Sequence, residues 1–270
     1  MLITGTKWQV ELDVDNQAAY AVFATDRLWN GYSIADLEPP LRTYTKVAVA
    51  RKAETGEAAA CLVLTHPTFC ALVPHGPAEG LQAILQAYTA LPLTPFILAQ
   101  EHHLSTLEDY YVFNNGLEAM QRMVVDPTSF QAAPTAQLGP ERLSMAALPA
   151  LYDLYQAYPS NAFNADQLQY GLFYGLYEGE MLVAAGGTHV LAPNYSLAAV
   201  GNVYTRPSTR GKGYARAIVT KIVEELLAQR YRDIILNVAA TNASAIRIYS
   251  SLGFRVHTTY WEGRAKLRAM

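Results

Sequence analysis

The chain has 270 residues, of which 51% are hydrophobic and 16% charged, and its net charge is −3. This length suggests two ordinary domains or one large one, and the apolar composition excludes a largely disordered chain. No apolar run reaches the roughly 18 residues of a membrane span, and the polar N-terminus lacks the apolar stretch of a secretory signal, so we expect no membrane association.

Residues 1–126 are predicted to form an α/β domain. Helices are expected at 18–29 and 79–91, and strands at 44–51, 58–65, 69–73, 95–99, 110–112, 116–120 and 123–125. Cys61 and Cys70 lie in apolar stretches and are expected to be reduced, which favours a cytoplasmic location. The neighbours His102 and His103 would point opposite ways on an extended chain, and no further ligand is spaced to join them, so no metal site is predicted.

The segment 127–140 is predicted to be a linker, because it is rich in proline and has little periodicity. Residues 141–270 then form the second domain, in the order α-α-β-β-β-α-β-α-β. Its helices are expected at 140–155, 164–172, 215–229 and 243–252, and its strands at 173–177, 181–191, 197–205, 233–239 and 254–260. This order predicts a mixed sheet with helices on its faces, an α/β (α+β) fold. The first domain has a similar element order, so a degenerate internal duplication is one interpretation.

The run Arg210-Gly211-Lys212-Gly213-Tyr214-Ala215 lies between an apolar strand and a long amphipathic helix. Glycines let backbone N–H groups point outward at the start of the helix, where they and the helix dipole attract anions. From Arg206 onward there are 12 basic residues against 4 acidic ones. A diphosphate group fits such a site.

Two other phosphate loops match less well. The NTPase loop requires Ser or Thr after its Gly-Lys pair, whereas Gly213 follows Lys212. The dinucleotide fingerprint requires a third glycine where Arg216 stands. Basic and aromatic residues do not alternate as they do in single-strand binders, so we expect no nucleic-acid partner.

A second motif, Thr241 to Phe254, follows the next short strand. Asn242 is placed to cap a helix, Ala245, Ile246 and Tyr249 would share one helix face, and Gly253 would end the helix. The first motif, Arg-x-x-Gly-x-Ala, resembles the coenzyme A pyrophosphate loop of the GCN5-related N-acetyltransferase (GNAT) superfamily. The second resembles the same superfamily's Asn-x-x-Ala-x-x-x-Tyr-x-x-x-Gly-Phe segment. The resemblance runs from about Leu138 to the C-terminus and is closest to the glycine N-acyltransferase-like (FR47-like) branch.

The resemblance implies a GNAT fold in the second domain, and the similar element order makes a degenerate GNAT-like fold one interpretation of the first. It also implies that the strands on either side of the long helix part, and that the pantetheine arm of acetyl-CoA lies between them. Tyr249 would protonate the leaving thiolate. The implied coenzyme-binding residues are Val203, Thr205, Arg210, Gly211, Lys212, Gly213, Tyr214, Ala215, Asn242 and Tyr249.

The general base is not identified by the sequence. Many relatives carry a Glu on the strand before the loop, but Leu197–Thr205 has no acid. His189, on the preceding strand, is the nearest titratable residue, although a lone His in an apolar strand is more often structural. Glu178 and Glu180, on a hairpin turn, are expected to be solvated. A water relay or an amine that arrives neutral stays open.

The first hypothesis is an enzyme that transfers an acetyl or short acyl group from acetyl-CoA to a primary amine of a small molecule or peptide, by direct attack in a ternary complex. The second is a non-catalytic acyl-CoA sensor, which the missing acid favours. A third is that the first domain is a decayed copy that only supports the second. The acceptor, the acyl length and the oligomeric state, including a homodimer, stay open.

Overall fold

The structure is a computed structural model that describes residues 8–133, 139–156 and 163–269. Residues 134–138 of the expected linker lie outside these ranges, and so does Tyr158, one of eight aromatic residues between positions 152 and 177. By its internal contacts the described chain divides into two compact units, 8–121 with 258–269 and 122–257. Among the described residues, no helix combines the length and apolar character needed to cross a membrane.

The first unit is built around a mixed sheet in the order β1-β2-β3-β4-β5, with the end of β13 next to β5. All neighbours are antiparallel except β4 and β5, which are parallel and joined through α3. Apolar side chains of α3 pack on the sheet beside Trp8. The elements that begin in this unit are β1 (Trp8–Glu11), α1 (Asn16–Phe23), α2 (Gly31–Ala35), β2 (Thr45–Lys52), β3 (Ala58–His66), β4 (Phe69–His75), α3 (Ala78–Ala87), β5 (Phe96–Ala99), α4 (Leu104–Tyr110), β6 (Tyr111–Val112) and β7 (Glu118–Val125).

The second unit has the strand order β8-β9-β10-β11-β12, followed by β7. The pairs from β8 to β11 are antiparallel, and β11 and β12 are parallel because α7 crosses between them. Its elements, with the two that close the chain, are β8 (Glu141–Arg142), α5 (Leu148–Gln156), α6 (Ala165–Tyr170), β9 (Phe173–Glu178), β10 (Met181–Ala192), β11 (Leu197–Thr205), α7 (Tyr214–Ala228), β12 (Asp233–Ala239), α8 (Ala243–Ser251), β13 (Arg255–Arg264) and β14 (Lys266–Leu267).

Side chains of the strands of the second unit pack into two separate hydrophobic cores. Phe173, Leu182 and Ala185 pack with α5 and α6, whereas Tyr174 and Val183 pack with α7 and α8. Because strand side chains alternate between faces, the two helix pairs cover opposite faces of this sheet. The expected mixed sheet with helices on its faces is therefore confirmed for this unit.

Several expected boundaries were wrong. The helix expected from residue 140 begins at Leu148, with Pro149 in its first turn, where a missing N–H is tolerated. The helix expected to reach residue 29 ends at Phe23 and continues as a 3-10 turn over Ala24–Asp26, and the buried Asn30 side chain donates to the carbonyl oxygen of Phe23. Residues from 258 onward group with the first unit rather than with the second, since Trp261 to Arg264 pair with β5.

Candidate active site

An opening between two neighbouring strands lies at the centre of the second unit. β11 and β12 pair only from Leu197 with Asp233 to Val200 with Leu236, although both strands continue further. The pairing of β11 with β10 also shifts, because Ala185 faces Tyr204 while Gly187 faces Gly201. This shift leaves an extra residue in β11, a β-bulge that bends the strand. The parting implied by the GNAT resemblance is thus present, and it begins after Val200.

The loop of residues 210–213 follows β11 and ends where α7 begins. Gly211 and Gly213 have φ angles of +80° and +81°, and a Cβ at either position would meet open space. Only glycine adopts this left-handed conformation without strain. Gly213 is the N-cap residue of α7 and has no side chain to bind the first N–H groups of the helix. These N–H groups can therefore bind an anion.

The cations around this loop have different partners. Arg206 is held by the carbonyl oxygen of Leu182 and by Asp153. Arg210 donates from Nε to the carbonyl oxygen of Thr205, at 3.2 Å. Arg216 has a buried Nε with no hydrogen-bond partner among the described residues. An arginine N–H in this state suits a phosphate oxygen, so this observation fits the diphosphate expected from the sequence.

Glu178 is a residue whose role the sequence analysis missed. Its Oε1 accepts hydrogen bonds from Lys212 Nζ and from Tyr214 Oη, each at 2.7 Å, so this carboxylate holds both ends of the Lys212–Tyr214 segment. The hydrogen bond from Lys212 lowers the pKa of Glu178 and keeps the carboxylate charged. The expectation that Glu178 is merely solvated was wrong. The sequence placed Glu178 near the end of a strand, but that position does not reveal its contact with Lys212, 34 residues away.

Asn242 and Tyr249 both lie on α8. Asn242 caps this helix, since its Oδ1 accepts from the backbone N–H of Ala245 at 3.1 Å, and its exposed amide nitrogen can face a ligand. Tyr249 is 8% exposed, and its ring centroid lies 5.8 Å from that of Phe254. Tyr249 and Tyr214 belong to the same apolar core, so the two motifs meet through it.

The two strand residues implied in binding pantetheine differ in their surroundings. Val203 lies in the interrupted part of the β10–β11 ladder, and its side chain packs on the core beneath α7. Thr205 pairs with Ala184, and its carbonyl oxygen accepts from Arg210. The backbone of Val203 is therefore less paired with β10 than that of Thr205.

His189 is the extra residue of a second irregularity, in β10, because Thr188 faces Val200 while Val190 faces Ala199. Its ring lies against Gly201, at the start of the strand opening, with Nε2 buried and the side chain of Asn202 beside it. Burial lowers the pKa of His189, and the bond with Asn202 raises it in part. The imidazole is therefore neutral at pH 7.

The histidine pair of the first unit was predicted wrongly in one respect. His102 and His103 lie in a 3-10 turn rather than an extended segment, and both rings approach the carbonyl oxygen of Gly76, at 3.1 and 2.7 Å. Across residues 8–133, 139–156 and 163–269, no group of three or more His, Cys, Asp or Glu side chains is arranged to hold a metal ion.

Comparisons with known proteins agree with this geometry. Residues 173–262 match the model of the family described as FR47-like protein. The [ribosomal protein bS18]-alanine N-acetyltransferase of Escherichia coli (strain K12) is 30% identical over 116 residues, which are 41% of this chain and 76% of that enzyme.

Two solved structures share the fold over nearly the whole chain. One is a GCN5-related N-acetyltransferase from Sphaerobacter thermophilus, with a TM-score of 0.61 and 15% identity over 98% of this chain and 97% of that one. The other is a protein from Drosophila, with a TM-score of 0.69 and 11% identity over 98% and 99% of the two chains.

Proposed function

The chain belongs to the GCN5-related N-acetyltransferase superfamily, and from this premise we propose that it transfers an acetyl or short acyl group from coenzyme A to a primary amine of a small molecule or peptide. The observation that carries the proposal is the strand opening after Val200, which leads into the glycine loop at the start of α7. A thioester arm fits between parted strands, and its diphosphate fits the loop. The amine would attack directly in a ternary complex, where positioning supplies much of the rate gain.

The donor would be held at two places. The backbone N–H groups from Gly211 to Ala215 would bind the diphosphate, with Arg210, Lys212 and Arg216 supplying positive charge. Val203 and Thr205 would offer strand backbone to the arm, and Asn242 would lie near its thioester end. Tyr249 would protonate the departing sulfur.

The acceptor would enter on the face covered by α5 and α6. This side is rich in aromatic rings, among which Tyr155 and Phe163 lie 5.1 Å apart and Tyr170 is 69% exposed. The E. coli relative is named for acetylating an alanine of a ribosomal protein, which supports testing peptides that begin with alanine. Aromatic faces bind both apolar side chains and cations, so these rings do not identify the acceptor amine.

The first unit is proposed to be a degenerate copy without a donor site. Its parallel strands β4 and β5 pair at only two positions and are joined through α3, as β11 and β12 are joined through α7. In this unit, however, Gly76 and Pro77 replace the long loop, and a Cβ at Gly76 would lie 2.5 Å from the carbonyl oxygen of Ala58. This close contact leaves little space for a diphosphate, and Pro77 removes one backbone N–H.

Calorimetric titration of the full chain with acetyl-CoA tests the proposal. We expect one site per chain, lost in the double variant Arg210→Ala, Gly213→Pro and retained in Arg232→Ala, which removes one positive charge beyond the far end of α7. Two sites per chain would overturn the degenerate-copy proposal. An absence of binding would overturn the enzyme proposal.

Thiol release from acetyl-CoA should then be measured with three acceptors, a peptide with N-terminal alanine, a peptide with an internal lysine, and glycine. Release that depends on one of these amines supports transfer. The second candidate function, a non-catalytic acyl-CoA sensor, is favoured by the lack of an acid on β11. It predicts tight binding without amine-dependent thiol release.

A further inference from the structure

We propose that His189 is the general base of this reaction and accepts the proton that the acceptor amine loses as it attacks the thioester. This inference rests on the proposed function. It concerns a residue on β10, whereas the strand that leads into the glycine loop carries no acid.

The first argument is the space that the imidazole fills. An ideal Cβ built on Gly201 would lie 2.2 Å from His189 Nε2 and 2.3 and 2.4 Å from the neighbouring ring carbons. The ring of His189 therefore occupies the place that a side chain at position 201 would take. Gly201 is the first residue of β11 beyond its last pair with β12. A titratable group thus lies at the start of the strand opening, contributed by the neighbouring strand.

The second argument is that two irregularities coincide here. His189 is the extra residue of the shift in β10, and Asn202, with a φ angle of +53°, lies in the shift of β11. A bulge redirects a side chain that regular pairing would aim elsewhere, and bulges are frequent beside active sites. A left-handed φ is uncommon at residues other than glycine, and the surrounding contacts hold Asn202 in it.

The third argument is the network that fixes the ring. The side chain of Asn202 lies beside the imidazole and raises its pKa, and its Nδ2 donates to Gln167 Oε1 at 2.9 Å. The backbone carbonyl oxygen of Asn202 accepts from Tyr155 Oη at 2.5 Å. Gln167 is also part of the capping box that begins α6. Strand β11 and the two helices of the acceptor face thereby hold one histidine ring.

The ionisation of His189 suits a base. Burial is the larger influence on its pKa and favours the neutral ring, while the groups that hold it, Asn202, Gln167 and Tyr155, are uncharged at pH 7. A neutral imidazole can accept a proton, and in His189 the Nε2 atom is buried.

The transfer step balances as follows. The amine nitrogen forms a bond to the carbonyl carbon while the carbon–sulfur bond breaks. The proton lost by nitrogen goes to His189, and the departing sulfur takes a proton from Tyr249. Exchange with solvent then returns a proton from the imidazolium to the tyrosinate, so that both side chains recover their starting forms and the net products are the amide and free thiol.

The test compares the full chain with His189→Gln and with His66→Gln, a matched change at a partly exposed histidine of the first unit. Acetyl-CoA binding is measured by calorimetry, and kcat/KM for the best of the three acceptors is followed from pH 5 to 9. Imidazole proton signals are followed by NMR over the same range, and the His189 signal is identified by its loss in the variant.

We expect His189→Gln to bind acetyl-CoA within about twofold of the unchanged chain and to lose roughly 100-fold in kcat/KM at pH 7.5, within the range of general base catalysis. The acid limb of the pH profile should match the pKa of the His189 signal, lie below 6.5, and disappear in His189→Gln but not in His66→Gln. Free imidazole should partly restore His189→Ala.

An active chain whose rate and pH profile survive His189→Gln would overturn this inference and leave the proposed function standing. So would a loss of rate with an unchanged acid limb, since that result indicates a packing role. A chain that transfers to none of the amines while binding acetyl-CoA would overturn both.

Discussion

A substitution at Tyr249 tests the catalytic proposal most directly. We expect Tyr249→Phe to keep acetyl-CoA affinity, because the ring remains packed beside Phe254, and to lose roughly 100-fold or more in kcat, because the thiolate then leaves without a proton donor. Stopped-flow or steady-state thiol release measures kcat, and calorimetry measures affinity.

The matched control for this change is Tyr231→Phe, which removes a hydroxyl from a buried tyrosine of the same core. It should leave kcat unchanged. Full activity in Tyr249→Phe would exclude Tyr249 as the acid, and equal losses in both variants would indicate that the core, rather than the hydroxyl, is what turnover requires.

At the scale of elements, the junction between β11 and α7 depends on one backbone conformation. Gly213 is the N-cap of α7 with a φ angle of +81°, so Gly213→Ala should lower the free energy of unfolding by about 1–2 kcal/mol through strain alone, since the added Cβ meets open space. Urea denaturation measures this change. Gly139→Ala, at a position without a positive φ and with equal space, should stay within about 0.5 kcal/mol. Equal stability of the two variants would show that the left-handed conformation is not required.

How far the sequence predicts an element depends on whether its signal is local. β11 and β12 were predicted to the residue, because each is an apolar run between a turn and a helix. The start of α5 was missed by several residues, since apolar spacing continued upstream of Pro149. The bulges at His189 and Asn202 could not be predicted, because they arise from a mismatch between two strands and neither strand shows it alone.

At the scale of the whole chain, features encoded in one contiguous segment were predictable from the sequence, and features that join distant segments were not. Both glycine-containing motifs are contiguous, and the structure brings them to one core through Tyr214 and Tyr249. The contacts of Glu178 with Lys212 and of His189 with Gly201 join residues distant in sequence, so only the folded chain reveals them. The grouping of residues 258–269 with the first unit is likewise set by pairing with β5.

Two buried groups of the first unit change the stability of the chain in mild acid in opposite directions. Burial lowers the pKa of His103 from 6.5 to about 3 and raises that of Asp36 from 3.8 to about 7. Below pH 6.5 the unfolded chain binds a proton at His103 that the folded chain does not, so acid removes stability. Below pH 7 the folded chain binds a proton at Asp36 that the unfolded chain does not, so acid adds stability. The two effects oppose each other down to about pH 4.

His103→Gln should therefore become more stable relative to the unchanged chain as the pH falls. The free energy of unfolding of the variant minus that of the unchanged chain should rise by about 1.4 kcal/mol per pH unit between pH 6.5 and 4.5, because only the histidine contribution differs between the two. Urea denaturation at pH 7.5, 6.5, 5.5 and 4.5 measures this difference. The lost bond to Gly76 shifts the difference equally at every pH, so the slope isolates the ionisation. A flat difference would mean that His103 takes up its proton as readily in the folded chain as in the unfolded one, which would contradict its lowered pKa.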